Sequence, residues 1–137
     1  NEIKAKIKDL LQKDEIKNKY YLNTAASLVY KAVSEMKNLT KKLNGKPDTA
    51  YGLAGLGDLH VSSAGGRNSK MGFYLGKGHT FKDAKAKFMK EITVEGADLA
   101  FAIGPKILKE FDKKEFPLLL SMIECICNNE KLKIDWK

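Results

Sequence analysis

The stretch NTAASLVYKAVSEMKNLTKKLNG, residues 23–45, decides the fold class of this 137-residue chain. Its apolar residues recur at intervals of three and four positions, which is typical of an amphipathic α-helix: Ala25, Leu28, Val29, Ala32, Val33, Met36, Leu39 and Leu43. Asn23 or Thr24 can cap the start of this helix, and Asn44-Gly45 can end it. We therefore predict one helix of about twenty residues between these signals.

Further helical patterns flank this stretch. Residues 3–11 have apolar positions at helical spacing, and residues 20–22 fit either the remnant of a strand or the entry to a helix. Because no segment alternates between apolar and polar residues and no repeat is present, we predict an all-α bundle of about six to eight helices. The elements expected after residue 45 are a helical turn from Pro47, a helix from Thr80 through Phe88, a helix from Thr93-Val94 to Phe111 that Pro105 should kink, and a last helix from Phe116-Pro117 to about Cys127.

The last of these helices, residues 116–127, is apolar around its whole circumference. Such a helix is predicted to lie in the middle of a bundle, and the same residues could equally form the interface of a homodimer. It carries Cys125 and Cys127, whose spacing directs them to different faces. Because the sequence has no CxxC motif and no cluster of cysteine with histidine, we expect free thiols, a reducing compartment and no metal site.

The composition fits one globular domain, with 43% apolar and 31% charged residues. The net charge is +8, but the 25 basic side chains are 24 lysines and one arginine, Arg67. Lysine cannot form the bidentate fork with which arginine recognises phosphates and base edges, so nucleic acid is not expected as a partner. No apolar run approaches the ~18–20 residues of a membrane span, and no signal peptide is recognisable. We therefore expect a cytoplasmic protein without a membrane partner.

Most of the eleven glycines lie in residues 51–78, YGLAGLGDLHVSSAGGRNSKMGFYLGKG. The GxxGxG spacing of residues 52–57 differs from the GxGxxG of dinucleotide-binding loops, and no strand precedes it, so we reject that interpretation. Gly65-Gly66 instead frees backbone N–H groups before a helix that should begin near Arg67. With the Arg67 fork and the Asn68 amide, this segment predicts a phosphate site. A glycine-rich helix cap beside a surface arginine is the alternative.

Four motifs in this order carry a resemblance to a known family: GLAGLGDL at 52–59, GGRN at 65–68, VEG at 94–96 and FPL at 116–118. Together they resemble the C-terminal substrate domain of the NAD(P)-dependent sn-glycerol-3-phosphate dehydrogenases, over residues 23 to the C-terminus. The resemblance implies a helical bundle like the C-terminal domains of 6-phosphogluconate and glycerol-3-phosphate dehydrogenases. It also implies interconversion of dihydroxyacetone phosphate and glycerol 3-phosphate by hydride transfer with NADH or NADPH, which feeds glycerophospholipid synthesis.

The resemblance also assigns roles to residues of the glycine-rich segment. Asp58 matches the family's buried carboxylate beside the catalytic lysine, where it would position the ammonium group and modulate its pKa; an aspartate that caps a helix is the alternative. Arg67 and Asn68 match the pair that binds the substrate phosphate, with Arg67 also near the dinucleotide. Gly66 stands in the same substrate site where many bacterial members have serine. Ser62 matches a hydroxyl on the substrate side.

Thr93 and Glu95 match two positions that contact the cofactor in this family. The 137 residues contain no Rossmann fingerprint, so NAD or NADP would be bound mainly by a Rossmann domain that this chain does not contain. The family's catalytic lysine also has no clean match in this sequence, and the segment most similar to its context begins at Lys8. Alternatively, residues 3–22 are the last helix and strand of a Rossmann domain, and the segment that carries the lysine is missing.

We therefore expect an uncertain segment at residues 1–22 and a helical substrate-binding domain at residues 23–137. By itself the chain is expected to be inactive, because the fingerprint and the lysine are missing. The second hypothesis is a non-catalytic helical module that binds a phosphate ligand or a protein partner.

Overall fold

The computed structural model describes the backbone of residues 2–135 and the side chains of residues 22–135. Within this range there are six α-helices and no strand, which confirms the predicted all-α class. The helices are α1 (Glu2–Lys42), α2 (Asp58–Ala64), α3 (Arg67–Gly76), α4 (Phe81–Phe88), α5 (Glu95–Glu110) and α6 (Pro117–Cys127), with a 3₁₀ turn at Pro47–Tyr51 and a π-helical turn at Leu53–Gly57 between α1 and α2.

The described residues divide into two units, one up to Lys31 and the other from Ala32 onward. The first unit is the N-terminal part of α1, in which the Ser27 hydroxyl donates to the Asn23 carbonyl at 2.9 Å. The second unit contains the end of α1 and all later helices. None of the helices in the described range is long and apolar enough to cross a bilayer.

The first helix is longer than predicted. The expected start at Asn23 or Thr24 is wrong, because α1 runs without a break from Glu2. Residues 12–22 contain neither glycine nor proline, so nothing in the local sequence stops a helix there. Residues 20–22, which fit either the remnant of a strand or the entry to a helix, are accordingly helical. Lys8 and most of the expected segment 1–22 lie outside the residues whose side chains the structure describes.

The other predicted helix ends are confirmed, and local chemistry explains them. After α1, Asn44 takes the left-handed conformation at φ 59°, and the Gly45 N–H donates to the Thr40 carbonyl at 2.8 Å. Thr80 caps α4 by accepting from the Asp83 N–H at 3.3 Å. Proline opens both the 3₁₀ turn and α6, where its missing N–H costs nothing. α5 continues through Pro105.

The core of the second unit lies where α3, α4, α5 and α6 converge. Its buried members are Met71, Leu75, Phe81, Ala84, Met89, Val94, Ala97 and Cys125. α6 buries Leu120, Ile123 and Cys125, whereas Met122 is 43% exposed, so one face of this predicted central helix is open. Apolar composition shows that a helix face can be buried, but it does not show which neighbour covers it.

Glu35 fixes the end of α1 to the start of α6. Its buried carboxylate accepts the backbone N–H groups of Leu118 and Leu119, each at 2.8 Å. These donors belong to the first turn of α6, which has no side-chain cap of its own. A carboxylate at a helix N-terminus also complements the positive end of the helix dipole. Glu35 therefore serves as a cap supplied by another helix.

Both cysteines are free thiols, as predicted. Burial raises the pKa of the Cys125 thiol, and the nearby Glu130 carboxylate raises that pKa further. Burial also raises the pKa of Cys127, whose thiol lies 3.3 Å from the Ala100 carbonyl. Because a raised pKa lowers the fraction of thiolate at a given pH, both cysteines are less nucleophilic than an ordinary thiol.

Candidate functional site

Asp58 is positioned by the tight π-helical turn that precedes α2. Gly55 is buried in that turn, and a Cβ on Gly55 would lie 2.2 Å from the Ala50 carbonyl oxygen. Only glycine permits this close approach of two backbones. The packed turn then leads directly into α2 at Asp58, so the start of α2 is set by the backbone contact below it.

The alternative role of Asp58 as a capping residue is wrong. Gly57 occupies the N-cap position of α2, and no side chain caps that helix. Asp58 lies in the first turn and is exposed to solvent, so the expected burial of this carboxylate is wrong for the described residues, none of which covers it. Ser62 follows four residues later, also exposed, and therefore shares a helix face with Asp58. The structure thus presents the predicted carboxylate and hydroxyl on one accessible surface of α2.

Two glycines turn the chain from α2 into α3. Gly65 is extended, whereas Gly66 has φ 107° and ψ 178°, a conformation that residues with a Cβ rarely adopt. Gly66 is the N-cap residue of α3, so the helix begins at Arg67 as predicted. The Ser69 hydroxyl donates to the Ser63 carbonyl at 3.3 Å and ties the first turn of α3 to the last turn of α2.

Arg67 forms an ion pair with Glu95, the first residue of α5. The guanidinium Nη2 donates to the Glu95 carboxylate oxygen Oε1. The two side chains are 55% and 53% exposed, so the pair lies at the surface and is accessible to a ligand. An arginine has five N–H donors, and this contact leaves the others available.

Asn68 makes the neighbouring contact between the same two helices. Its amide oxygen Oδ1 accepts the backbone N–H of Gly96 at 3.1 Å. The starts of α3 and α5 therefore lie side by side, with Arg67 opposite Glu95 and Asn68 opposite Gly96. Helix N-termini carry free N–H groups and positive partial charge, and two of them converge at this point.

The loop that enters α5 is held by Lys85. Its ammonium Nζ donates to the carbonyls of Met89 at 3.0 Å, Lys90 at 3.4 Å and Ile92. These three acceptors surround the turn between α4 and α5, which carries Thr93 just before Glu95. Thr93 is exposed in this loop. Lys85 therefore fixes the backbone from which both predicted cofactor-contacting residues project.

An apolar cavity of about 280 Å³ adjoins the contact between α3 and α5. Asn68 and Gly96 line its end nearest the candidate site, and Asn68 is the one polar side chain among its lining residues. The remaining lining comes from apolar residues of α3, α5 and α6 and from Val94 and Leu132. The exposed face of α6 at Met122 belongs to this cavity.

The structure brings four residues into direct contact: Arg67 with Glu95 and Asn68 with Gly96. Asp58, Ser62 and Thr93 are exposed on the adjoining helix and loop. Within the described residues, no group of three or more histidine, cysteine, aspartate or glutamate side chains could hold a metal ion.

Sequence analysis missed two residues of this site. Gly96 lies inside the VEG motif, so its position next to Glu95 was a signal that could have been used. Lys85 is one of 24 lysines and carries no distinguishing signal in the sequence.

A family model described as the C-terminus of NAD-dependent glycerol-3-phosphate dehydrogenase matches residues 15–135. A glycerol-3-phosphate dehydrogenase (NAD(P)+) from Chlamydia pneumoniae is 36% identical over 113 residues, covering 81% of this chain and 33% of the relative. The corresponding enzyme of Clostridium acetobutylicum is 34% identical, covering 78% of this chain and 32% of the relative. An NADP(+)-dependent glycerol-3-phosphate dehydrogenase from Archaeoglobus fulgidus is 35% identical over 96 residues, covering 66% of this chain and 29% of the relative.

No solved structure matches the chain significantly. The chain spans about a third of the length of these curated relatives. The family model nevertheless covers most of the chain, including every residue of the candidate site. The predicted resemblance is therefore confirmed, and the chain belongs to the family of NAD-dependent glycerol-3-phosphate dehydrogenases, whose C-terminal domain it matches.

Proposed function

We propose that this chain forms the substrate-binding part of an enzyme that interconverts dihydroxyacetone phosphate and sn-glycerol 3-phosphate with NAD or NADP. The observation that carries the proposal is the contact between two helix N-termini, Arg67-Asn68 on α3 and Glu95-Gly96 on α5. In this role the product glycerol 3-phosphate would supply glycerophospholipid synthesis.

A phosphate dianion is the ligand that these groups suit best. The Arg67 guanidinium offers charge-assisted donors, Asn68 offers its Nδ2 donors, and Gly66 leads into the free N–H groups of the first turn of α3. The space beside Gly66 is open, since a Cβ built on this residue would meet no atom within 4 Å. A phosphate can therefore approach the first turn of α3 from this side. Phosphate binding at this point would hold the C2 carbon of the substrate in a fixed position relative to the cofactor, which makes the hydride transfer effectively unimolecular.

Arg67, Thr93 and Glu95 fit the edge of a dinucleotide site in charge and accessibility. The half-exposed Arg67–Glu95 pair presents a donor and an acceptor side by side, and Thr93 is exposed two residues before Glu95. When bound, the cofactor accepts a hydride from C2 of glycerol 3-phosphate or returns one to the ketone. Arg67 would thus contact both the substrate phosphate and the cofactor.

Asp58 would act on the proton of the C2 hydroxyl indirectly. In the proposed oxidation a neutral lysine takes this proton as the hydride leaves C2, and in the reduction its ammonium group gives the proton back. Asp58 is exposed and is not the N-cap residue of α2, so its carboxylate is accessible to such an ammonium group. Ser62, on the same face of α2, would donate to or accept from a substrate oxygen.

The test compares two variants of neighbouring cations in α3. Arg67→Lys keeps the charge and removes the fork, whereas Lys70→Gln removes a charge at an exposed position one turn further along α3. If the fork binds the phosphate, Arg67→Lys should weaken the binding of glycerol 3-phosphate about tenfold or more, because one charge-assisted hydrogen bond is worth about 1.5–3 kcal/mol. Lys70→Gln should change the affinity by less than about threefold.

Binding to the 137-residue chain can be followed by NMR titration with glycerol 3-phosphate, with glycerol as the ligand that lacks the phosphate. If only the general positive charge matters, Arg67→Lys should bind glycerol 3-phosphate as well as the unmodified chain does, whereas Lys70→Gln should bind it more weakly; that result would overturn the role of the fork. Activity would be measured after mixing the chain with a separately produced dinucleotide-binding domain of a relative. Phosphate binding without activity in that mixture would favour the non-catalytic module.

A further inference from the structure

The backbone N–H of Gly96 makes a hydrogen bond that the proposed reaction does not account for. This N–H, in the first turn of α5, donates to the Asn68 amide oxygen Oδ1 at 3.1 Å. Because an N–H cannot donate to an NH₂ group, this contact determines which end of the amide faces α5. The Asn68 Nδ2 group, with its two donors, must then face away from Gly96.

The same glycine also limits where the Asn68 side chain can lie. A Cβ on Gly96 would lie 3.1 Å from Asn68 Oδ1 and 3.4 Å from its Cγ. The distance to Oδ1 is tighter than an ordinary contact, so a side chain at position 96 would have to shift the amide by a few tenths of an ångström. The absence of a side chain at Gly96 therefore permits the observed amide position, and the N–H of Gly96 holds it there.

We propose that Gly96 is a positioning residue that orients the Asn68 amide as a donor towards the substrate phosphate. The inference rests on the proposed function, since it assigns Gly96 a role in the same phosphate site. Glu95, next in the chain, holds the Arg67 guanidinium from the same turn of α5. One helical turn thus orients both phosphate-binding side chains before the substrate arrives, which lowers the entropy cost of binding.

The obvious alternative is that Asn68 merely caps α5. Val94, the N-cap residue of that helix, supplies no side-chain hydrogen bond, so Asn68 satisfies an N–H group that would otherwise have no partner. Loss of a cap lowers stability but does not by itself change the affinity for an anion. The experiment therefore has to separate affinity from stability.

The central variant is Gly96→Ala, with Gly72→Ala as its matched control. Both glycines are helical, so alanine should favour the helix at either position. A Cβ at Gly72 meets nothing within 4 Å, whereas the one at Gly96 meets Asn68. Glycerol 3-phosphate binding would be measured by NMR titration of the 137-residue chain, and stability by urea unfolding of the same samples.

We expect Gly96→Ala to weaken glycerol 3-phosphate binding about three- to tenfold without lowering the urea midpoint, because the displaced amide loses a charge-assisted donor. Gly72→Ala should leave the affinity unchanged. The Asn68 side-chain NH₂ resonances should move in Gly96→Ala and stay in place in Gly72→Ala. A lower urea midpoint with unchanged affinity for glycerol 3-phosphate would identify Asn68 as a cap only.

A double-mutant cycle with Asn68→Ala shows whether Gly96 acts through Asn68. Asn68→Ala alone should weaken binding about tenfold or more, and adding Gly96→Ala to it should produce no further loss. A further loss in the double variant would overturn the positioning role while leaving the phosphate site intact. If Asn68→Ala binds glycerol 3-phosphate as well as the unmodified chain does, the proposed phosphate site itself is wrong.

Discussion

Replacement of Gly66 with alanine measures how strongly the start of α3 depends on glycine. Gly66 has φ 107° and ψ 178°, a region that is essentially restricted to glycine. A Cβ at this position would meet no atom within 4 Å, so the penalty comes from the backbone alone and not from a clash. Backbone strain of this kind costs about 1–3 kcal/mol. We therefore expect Gly66→Ala to lower the free energy of unfolding by that amount.

The neighbouring glycine provides the control. Gly65 has φ 175° and ψ −179°, which is extended backbone that any residue adopts, and a Cβ there also meets nothing within 4 Å. Gly65→Ala should leave the free energy of unfolding unchanged or raise it by up to about 1 kcal/mol, because alanine restricts the unfolded chain. The two variants add the same methyl group to the same loop, so their difference isolates the conformation of Gly66.

Urea unfolding followed by circular dichroism gives both free energies, and amide NMR shifts report on the start of α3. If the chain relieves the strain by rotating the peptide before Arg67, the shifts of Asn68 and Gly96 should move in Gly66→Ala, because their contact depends on where α3 begins. Equal unfolding free energies for the two variants, together with unchanged shifts of Asn68 and Gly96, would refute the reasoning.

Three further predictions concern the scaffold. Glu35→Ala should lower the free energy of unfolding by about 3 kcal/mol or more, because two N–H groups of α6 lose their buried acceptor; a loss below about 1 kcal/mol in urea unfolding would contradict this. Gly55→Ala should lower the thermal midpoint of unfolding, because the Cβ of the new alanine would lie 2.2 Å from the Ala50 carbonyl oxygen. An unchanged midpoint would show that the π-helical turn can move apart without a loss of stability. The pKa of Cys125 is raised in the folded chain, so the folded state binds its proton more tightly and stability should fall as pH rises above the ordinary range of thiols. Urea midpoints at about pH 8 and about pH 10 should therefore differ less in Cys125→Ala than in the unmodified chain.

Helix ends that depend on neighbouring residues were predictable from the sequence. Asn44-Gly45, Thr80 and Pro117 each act within one turn of the backbone that they end or begin, so the local pattern contains the necessary information. The N-terminal extent of α1 was not predictable in the same way, because a possible cap at Asn23 does not start a helix when the preceding residues are already helical.

Contacts over long sequence separations were beyond the same approach. Arg67, Asn68 and Glu95 were each predicted as site residues, but only the packing of α3 against α5 places them together, 28 positions apart. The role proposed for Gly96 depends on that packing, because its contact with Asn68 joins α3 to α5. The exposed face of α6 at Met122 was missed for the same reason, since its apolar sequence does not specify a neighbour.

The ratio of 24 lysines to one arginine can now be explained by geometry rather than by stability. The Arg67–Glu95 pair is about half exposed on both sides, and surface ion pairs of this kind contribute about 0–1 kcal/mol, an amount that lysine could supply equally well. Lysine carries its three donors on a single nitrogen, so a carboxylate and a phosphate would both have to approach the same atom. The planar guanidinium can donate to Glu95 through Nη2 and still present its other N–H groups to a phosphate. In the proposed phosphate site, the start of α3 holds a carboxylate and an anion at the same time, which favours arginine over lysine at position 67.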